Sequence, residues 1–97
     1  QTVTQLGPDS ILLSGSVTMK TPGTTPTVIA FKSASNNQSF NAQVEEGRYA
    51  VSLPNRDSFN AYIEFGTVTA NVGAGRCLAG GLILFAQSDS LIANWSC

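Results

Sequence analysis

Gly47-Arg48-Tyr49-Ala50-Val51-Ser52-Leu53-Pro54-Asn55 holds a strand, the signal that ends it and the turns on either side, and its reading decides the fold. Tyr49, Val51 and Leu53 alternate with Arg48, Ala50 and Ser52. A period of two sends the three large apolar side chains to one face of a strand and the small or polar ones to the other. Gly47, behind the carboxylates of Glu45 and Glu46, supplies the backbone freedom a tight turn needs. Pro54 has no N–H with which to continue a ladder, and Asn55 opens the next turn.

The same alternation spreads outward from this strand. Residues 39–44 (SFNAQV) carry Phe40, Ala42 and Val44 on one face, and a hairpin with the 48–54 strand is expected through Glu45-Glu46-Gly47. After the turn at Asn55-Arg56-Asp57, Phe59, Ala61, Ile63 and Phe65 alternate with Asn60, Tyr62 and Glu64, and Val68, Ala70 and Val72 extend the pattern past Gly66. Residues 10–18 (SILLSGSVT) place Ile11, Leu13 and Val17 on one face. Gly15 keeps that register without a side chain, which suggests a bulge or a close approach. Residues 21–26 read as a loop, 27–32 as a strand, 33–38 as a polar turn and 72–81 as a glycine-rich turn. The last strands are expected at 82–86 and 91–97, and a short polar one at 1–6, broken by Gly7-Pro8-Asp9. No window keeps helical periodicity over ten residues. Seven to nine short strands and no helix predict an all-β chain, a two-sheet antiparallel β-sandwich of immunoglobulin-like kind. The 97 residues form one domain, with 1–9 as a strand extension.

Charge is sparse, with five Lys plus Arg, six Asp plus Glu and a net charge of −1. The basic residues are scattered, so no stripe exists to follow a nucleic-acid backbone. The longest mostly apolar run, 77–86, is too short to span a bilayer and contains two glycines. Surface polarity comes instead from Ser, Thr, Asn and Gln, a composition suited to a secreted β-protein. With Gln1 at its start, the chain reads as a mature form whose leader has been removed. Cys77 and Cys97 are expected to pair, the alternative being two separate buried thiols. A bridge closing a loop of about 20 residues stabilises by roughly 3 kcal/mol in the chain-entropy picture.

Three segments resemble the carboxypeptidase regulatory-like domain, a transthyretin-like sandwich of secreted and surface proteins. They are Gly15-Ser16-Val17 with 26–31 (PTVIAF), then 40–44 (FNAQV) with Gly47-Arg48-Tyr49 and Leu53-Pro54, and finally 77–84 (CLAGGLIL). The resemblance covers residues 11–97 and implies a spacer, adhesion or structural module without catalysis of its own. Leu78, Ile83 and Phe85 depart from it by being apolar where outward polar residues are the pattern.

Chemistry finds little footing. The chain has no histidine, which removes Ser-His and Cys-His catalysis and His-ligated zinc. Glu45 and Glu46 are adjacent, so an extended backbone points them to opposite faces and they cannot flank one glycosidic bond. Residues 73–78 (GAGRCL) begin like a dinucleotide fingerprint but have Leu78 where a glycine is required. Asp9, Asp57 and Asp89 are too dispersed to suggest a calcium loop. No enzyme activity, cofactor or metal is expected. Two N-glycosylation sequons occur, Asn37-Gln38-Ser39 in a polar turn and Asn94-Trp95-Ser96 in an expected strand.

Apolar residues on both strand faces, at 11–13, 82–85 and 91–92, exceed what one core absorbs and point to self-association. Residues 1–6 are expected to dock either on their own sheet or, across Gly7-Pro8, on a neighbour's. The second option makes the chain a subunit of an extracellular filament, with Thr2, Val3, Thr4, Leu6, Ile83 and Phe85 at the interface and the chain itself as partner. Val3 and Leu6 have opposite parity, so both enter one groove only across a bulge. The alternative is a monomeric adhesion module that binds glycans or matrix through Tyr62 and Trp95.

Overall fold

The computed structural model describes residues 3–7, 10–54, 57–67, 74–83 and 93–97, with side chains outside 3–7, 83 and 93. Eight strands are present among them: β1 (Val3–Gly7), β2 (Ser10–Thr18), β3 (Thr24–Ser33), β4 (Ser39–Gln43), β5 (Arg48–Pro54), β6 (Ser58–Thr67), β7 (Gly75–Ile83) and β8 (Ala93–Ser96). They form two sheets. One has the order β1-β2-β5 with β8 also on β2, and the other has the order β4-β3-β6-β7. The chain is a two-sheet β-sandwich.

Alternation builds its core. β5 buries Tyr49, Val51 and Leu53 and exposes the four residues between and beside them. Ile11, Leu13 and Val17 meet them from β2, while Ile29, Phe31, Ala42, Phe59, Ala61 and Ile63 enter from the opposite sheet. Phe31 sits at the centre, 5.7 Å between ring centroids from Tyr49 and 6.1 Å from Trp95. Edge-to-face and tilted contacts of this kind add to plain area burial.

Four sequence expectations are corrected. Residues 39–44 and 48–54 do not form a two-strand ladder. The tight turn is there, with Glu46 and Gly47 at φ 53° and 76°, and Glu45 and Arg48 exchange backbone hydrogen bonds of 2.9 and 3.0 Å. Beyond that pair the strands part: Val44 N–H donates to Thr27 of β3, whereas the Gly47 carbonyl accepts from Val17 of β2. The turn is therefore the crossing between sheets. Second, the stretch expected as a glycine-rich turn at 72–81 contains most of β7, paired with β6. Its glycines serve the strand: a register shift leaves Ala79 unpaired beside Gly80, whose φ of 153° favours glycine. Third, β3 begins at Thr24 inside the expected loop, where Pro26 lies beyond the reach of β4 and owes no N–H to a ladder on that side. Fourth, the sandwich is not wholly antiparallel, because β8 runs parallel to β2. A hairpin would have forced the antiparallel sense, but β2 and β8 are far apart in sequence and no short connection constrains them.

Gly15 makes no bulge. It is buried in an unbroken β2–β5 register, between Tyr49 on one side and Ala93 on the other. The expected continuation at 68–72, the 84–86 part of the penultimate strand and the Asn55-Arg56 turn lie outside the described residues.

Candidate functional site

The feature that sets this sandwich apart is the divided edge of β2. Residues Ser10 to Ser16 pair with β5 along one edge. The opposite edge is shared: β1 pairs antiparallel with Ser10 to Leu13, and β8 pairs parallel with Gly15 to Thr18. The first residue of β1 and the first of β8 thus meet on either side of Ser14. In β1 the partners are Val3↔Leu13, Thr4↔Leu12, Gln5↔Ile11 and Gly7↔Ser10, with a register shift between Gln5 and Gly7. Leu6 is the extra residue.

Beyond its ladder to β2, β8 is fastened at Asn94, Trp95 and Cys97. The Asn94 Oδ1 accepts from Ser16 Oγ at 2.9 Å, and Trp95 Nε1 donates to the Tyr49 hydroxyl at 2.8 Å. Cys97 N–H donates to the Thr18 carbonyl at 3.1 Å, and its own carbonyl accepts from Lys20 N–H. Cys97 is disulfide-bonded to Cys77 of β7, with Cα atoms 6.4 Å apart. That bond ties the edge of one sheet to the edge of the other. On the far side of the sandwich the chain itself makes the crossing at Glu45–Arg48, so one edge is closed by backbone and the other by sulfur. Of β1 the structure describes the backbone, which pairs with β2.

Of the residues expected at an assembly interface, Val3, Thr4 and Leu6 lie in β1, docked on the chain's own sheet. Ile83 ends β7 opposite Ser58. Thr2 and Phe85 fall outside the described residues. The expected pair Cys77 and Cys97 is bonded. Asn37 occupies an exposed turn and Asn94 an exposed position on β8. The aromatic platform is not assembled. Trp95 turns into the core, and Tyr62, on the outer face of the other sheet, lies under the Arg76 guanidinium, 4.3 Å from its ring centroid. Leu78, opposite Tyr62 on that face, is 62 % exposed.

Two polar nodes escaped the sequence. Burial pushes the Tyr49 hydroxyl up to about 12, although the hydrogen bond from Trp95 pulls the other way. Asp57 gathers the turn after β3: Ser33 Oγ donates to Oδ2 at 2.6 Å, Ser35 Oγ to the same oxygen at 3.0 Å, and Ser58 N–H to Oδ1 at 2.8 Å. The Ser33 hydroxyl, foremost, holds the Asp57 carboxyl below its ordinary range, with the Ser58 and Ser35 donors adding to it against partial desolvation. Both nodes hold the fold. Among the described residues no three His, Cys, Asp or Glu side chains gather to hold a metal ion, and no helix is long and apolar enough to cross a membrane. A groove of about 480 Å³ at the β6–β7 end, floored by Phe59 and Leu82, is lined among the described residues by no acid, base or thiol.

No protein-family model matches this chain, and neither a curated protein nor a solved structure matches it. Fold and site together define its class: a disulfide-closed β-sandwich whose first strand rests on one half of a shared edge.

Proposed function

We propose that this chain is an extracellular, non-enzymatic structural subunit that builds filaments by lending β1 to the β2 edge of a neighbour. The observation that carries the reading is the division of that edge between β1 and β8. β8 is secured on its half by side chains, backbone and a disulfide, and β1 lies on the other half, paired antiparallel with β2 and joined to it in sequence through Gly7-Pro8-Asp9. The contacts β1 makes with its own β2 are the contacts it would make with another copy's. Exchange therefore keeps the ladder, and the balance passes to protein concentration and to the hinge. A one-way, head-to-tail exchange whose rotation does not close into a ring grows a fibre.

The disulfide supports an oxidising compartment outside the cytosol. The resemblance to carboxypeptidase regulatory-like domains is in keeping with a structural role. A glycan-binding role loses its motive with Trp95 half-buried against the core and Tyr62 beneath Arg76.

The test is deletion of residues 1–6. The full chain should form filaments at high concentration, seen by light scattering and electron microscopy. The truncated chain should remain a folded, disulfide-bonded monomer. A full chain that stays monomeric, or a truncated one that still polymerises, ends the proposal.

A further inference from the structure

We propose that Asn37 is the acceptor of an N-linked glycan and that Asn94, in the second sequon, is not. The two sites share the Asn-x-Ser pattern and differ in everything around it. Asn37 stands in the turn between β3 and β4, where residues 34–39 are all exposed. Its φ of 61° lies in the left-handed region, which asparagine tolerates better than most residues. The turn is held without the Asn37 side chain. Asn37 N–H donates to the Ser33 carbonyl at 3.1 Å, Ser33 N–H to the Gln38 carbonyl at 2.8 Å, and Gln38 N–H to Asn36 Oδ1 at 2.9 Å. The Asn37 carboxamide makes no hydrogen bond among the described residues. Its nitrogen is free to react, and every bond of the turn survives the modification.

At Asn94 the reverse holds. Its Oδ1 is engaged by Ser16 Oγ, and the middle residue of the sequon, Trp95, is bonded to Tyr49 and packed edge-on against Phe31. A transferase that drew this sequon off the sheet would have to lift Trp95 out of the core. At Asn37 it meets a surface turn, the kind of segment that enzymes reach without unfolding their substrate.

The step is a glycosyl transfer from a lipid-linked sugar diphosphate. The Asn37 amide nitrogen attacks the anomeric carbon, the C–N bond forms, and the bond from that carbon to the phosphate oxygen breaks. The lipid diphosphate leaves with the electron pair, and the amide proton passes to a base on the transferase. Ser39, the hydroxyl the sequon requires, is exposed, and among the described residues its hydroxyl donates only to Asn41 Oδ1, at 3.0 Å.

This inference is independent of filament assembly. It is tested by secreting the full chain from a eukaryotic host and mapping its peptides by mass before and after amidase treatment. The expected result is a glycan on the Asn37 peptide, with Asn37 converted to Asp on enzymatic release. Replacement of Asn37 by Gln would disturb the left-handed backbone, so Ser39→Ala is the cleaner variant: it erases the sequon and leaves Asn37 in place. Ser39→Ala should secrete without sugar, while Asn94→Gln should keep the full glycan. Secreted chain without sugar, a glycan that persists in Ser39→Ala, or sugar mapped to Asn94 overturns the proposal.

Discussion

At the scale of single residues, the bond between Tyr49 and Trp95 joins β5 to β8 across β2. Tyr49→Phe leaves the Trp95 N–H without its acceptor, a loss on the order of 1–3 kcal/mol that urea unfolding would read. The same variant has a pH signature. The folded value of Tyr49 lies above its ordinary 10.0, so stability is intact below pH 10 and is lost as pH rises toward about 12. Tyr49→Phe should flatten that alkaline limb, and an unchanged limb would show that Tyr49 is not its source. Asp57 has the opposite sign. Its folded value lies below the ordinary 3.8, so its contribution is present above that value and disappears as pH falls through the folded one. Melting temperature should drop on acidification below about pH 4, and less steeply in Asp57→Asn. Neither node was legible in the sequence, for a physical reason. Alternation reports which face a side chain takes, and it did so correctly for Tyr49, Val51, Leu53, Phe59, Ala61 and Ile63. It is silent about which polar tip meets which across 46 residues, as in Tyr49–Trp95, or 24, as in Ser33–Asp57.

At the scale of elements, β7 departs furthest from what its composition announces. Glycines at 75, 80 and 81 suggest a turn, yet the strand runs beside β6 because its neighbours are large. A Cβ built on Gly80 would lie 2.9 Å from a carbon of the Trp95 ring, so the missing side chain is the space the indole occupies. Gly80→Ala meets both that contact and an unfavourable φ, and should lose about 1–3 kcal/mol or more in denaturant titration. A variant as stable as the parent would contradict the packing. The other misread element is the 45–48 turn. Its sequence specifies a tight reversal and the chain makes one, but a turn fixes direction, not the sheet to which the next strand belongs. Long-range pairing decides that, here the acceptance by β2 of the whole of β5. The Cys77–Cys97 bond closes the opposite side. Removing it in Cys77→Ser with Cys97→Ser should lower stability by roughly 3 kcal/mol, given the sequence separation of 20. Amide exchange should then show β8 opening before β5, since β8 loses a covalent anchor and β5 does not.

At the scale of the whole molecule, the strand addition expected of residues 1–6 can be tested with a lock, because β1 rests on its own β2 in a defined register. Thr4 of β1 faces Leu12 of β2 as a direct ladder partner. Opposed residues of an antiparallel pair have Cα atoms about 4.5–5.5 Å apart, inside the range a disulfide bridges. In a chain that keeps Cys77–Cys97, Thr4→Cys with Leu12→Cys therefore gives a latch whose two states are covalently distinct. Oxidised as a dilute monomer, the latch holds β1 on its own sheet, and the protein should stay monomeric by light scattering at concentrations where the parent assembles. Reduction under conditions that spare the native bridge should restore assembly. Oxidised after assembly, the same pair should join neighbouring chains and give a ladder of multimers on a non-reducing gel. The two outcomes separate strand exchange from any association through the outer faces of the sheets, because a face-to-face contact is indifferent to the latch. Filaments grown from the locked monomer, or assembled material that yields only single chains after oxidation, would show that β1 never leaves home.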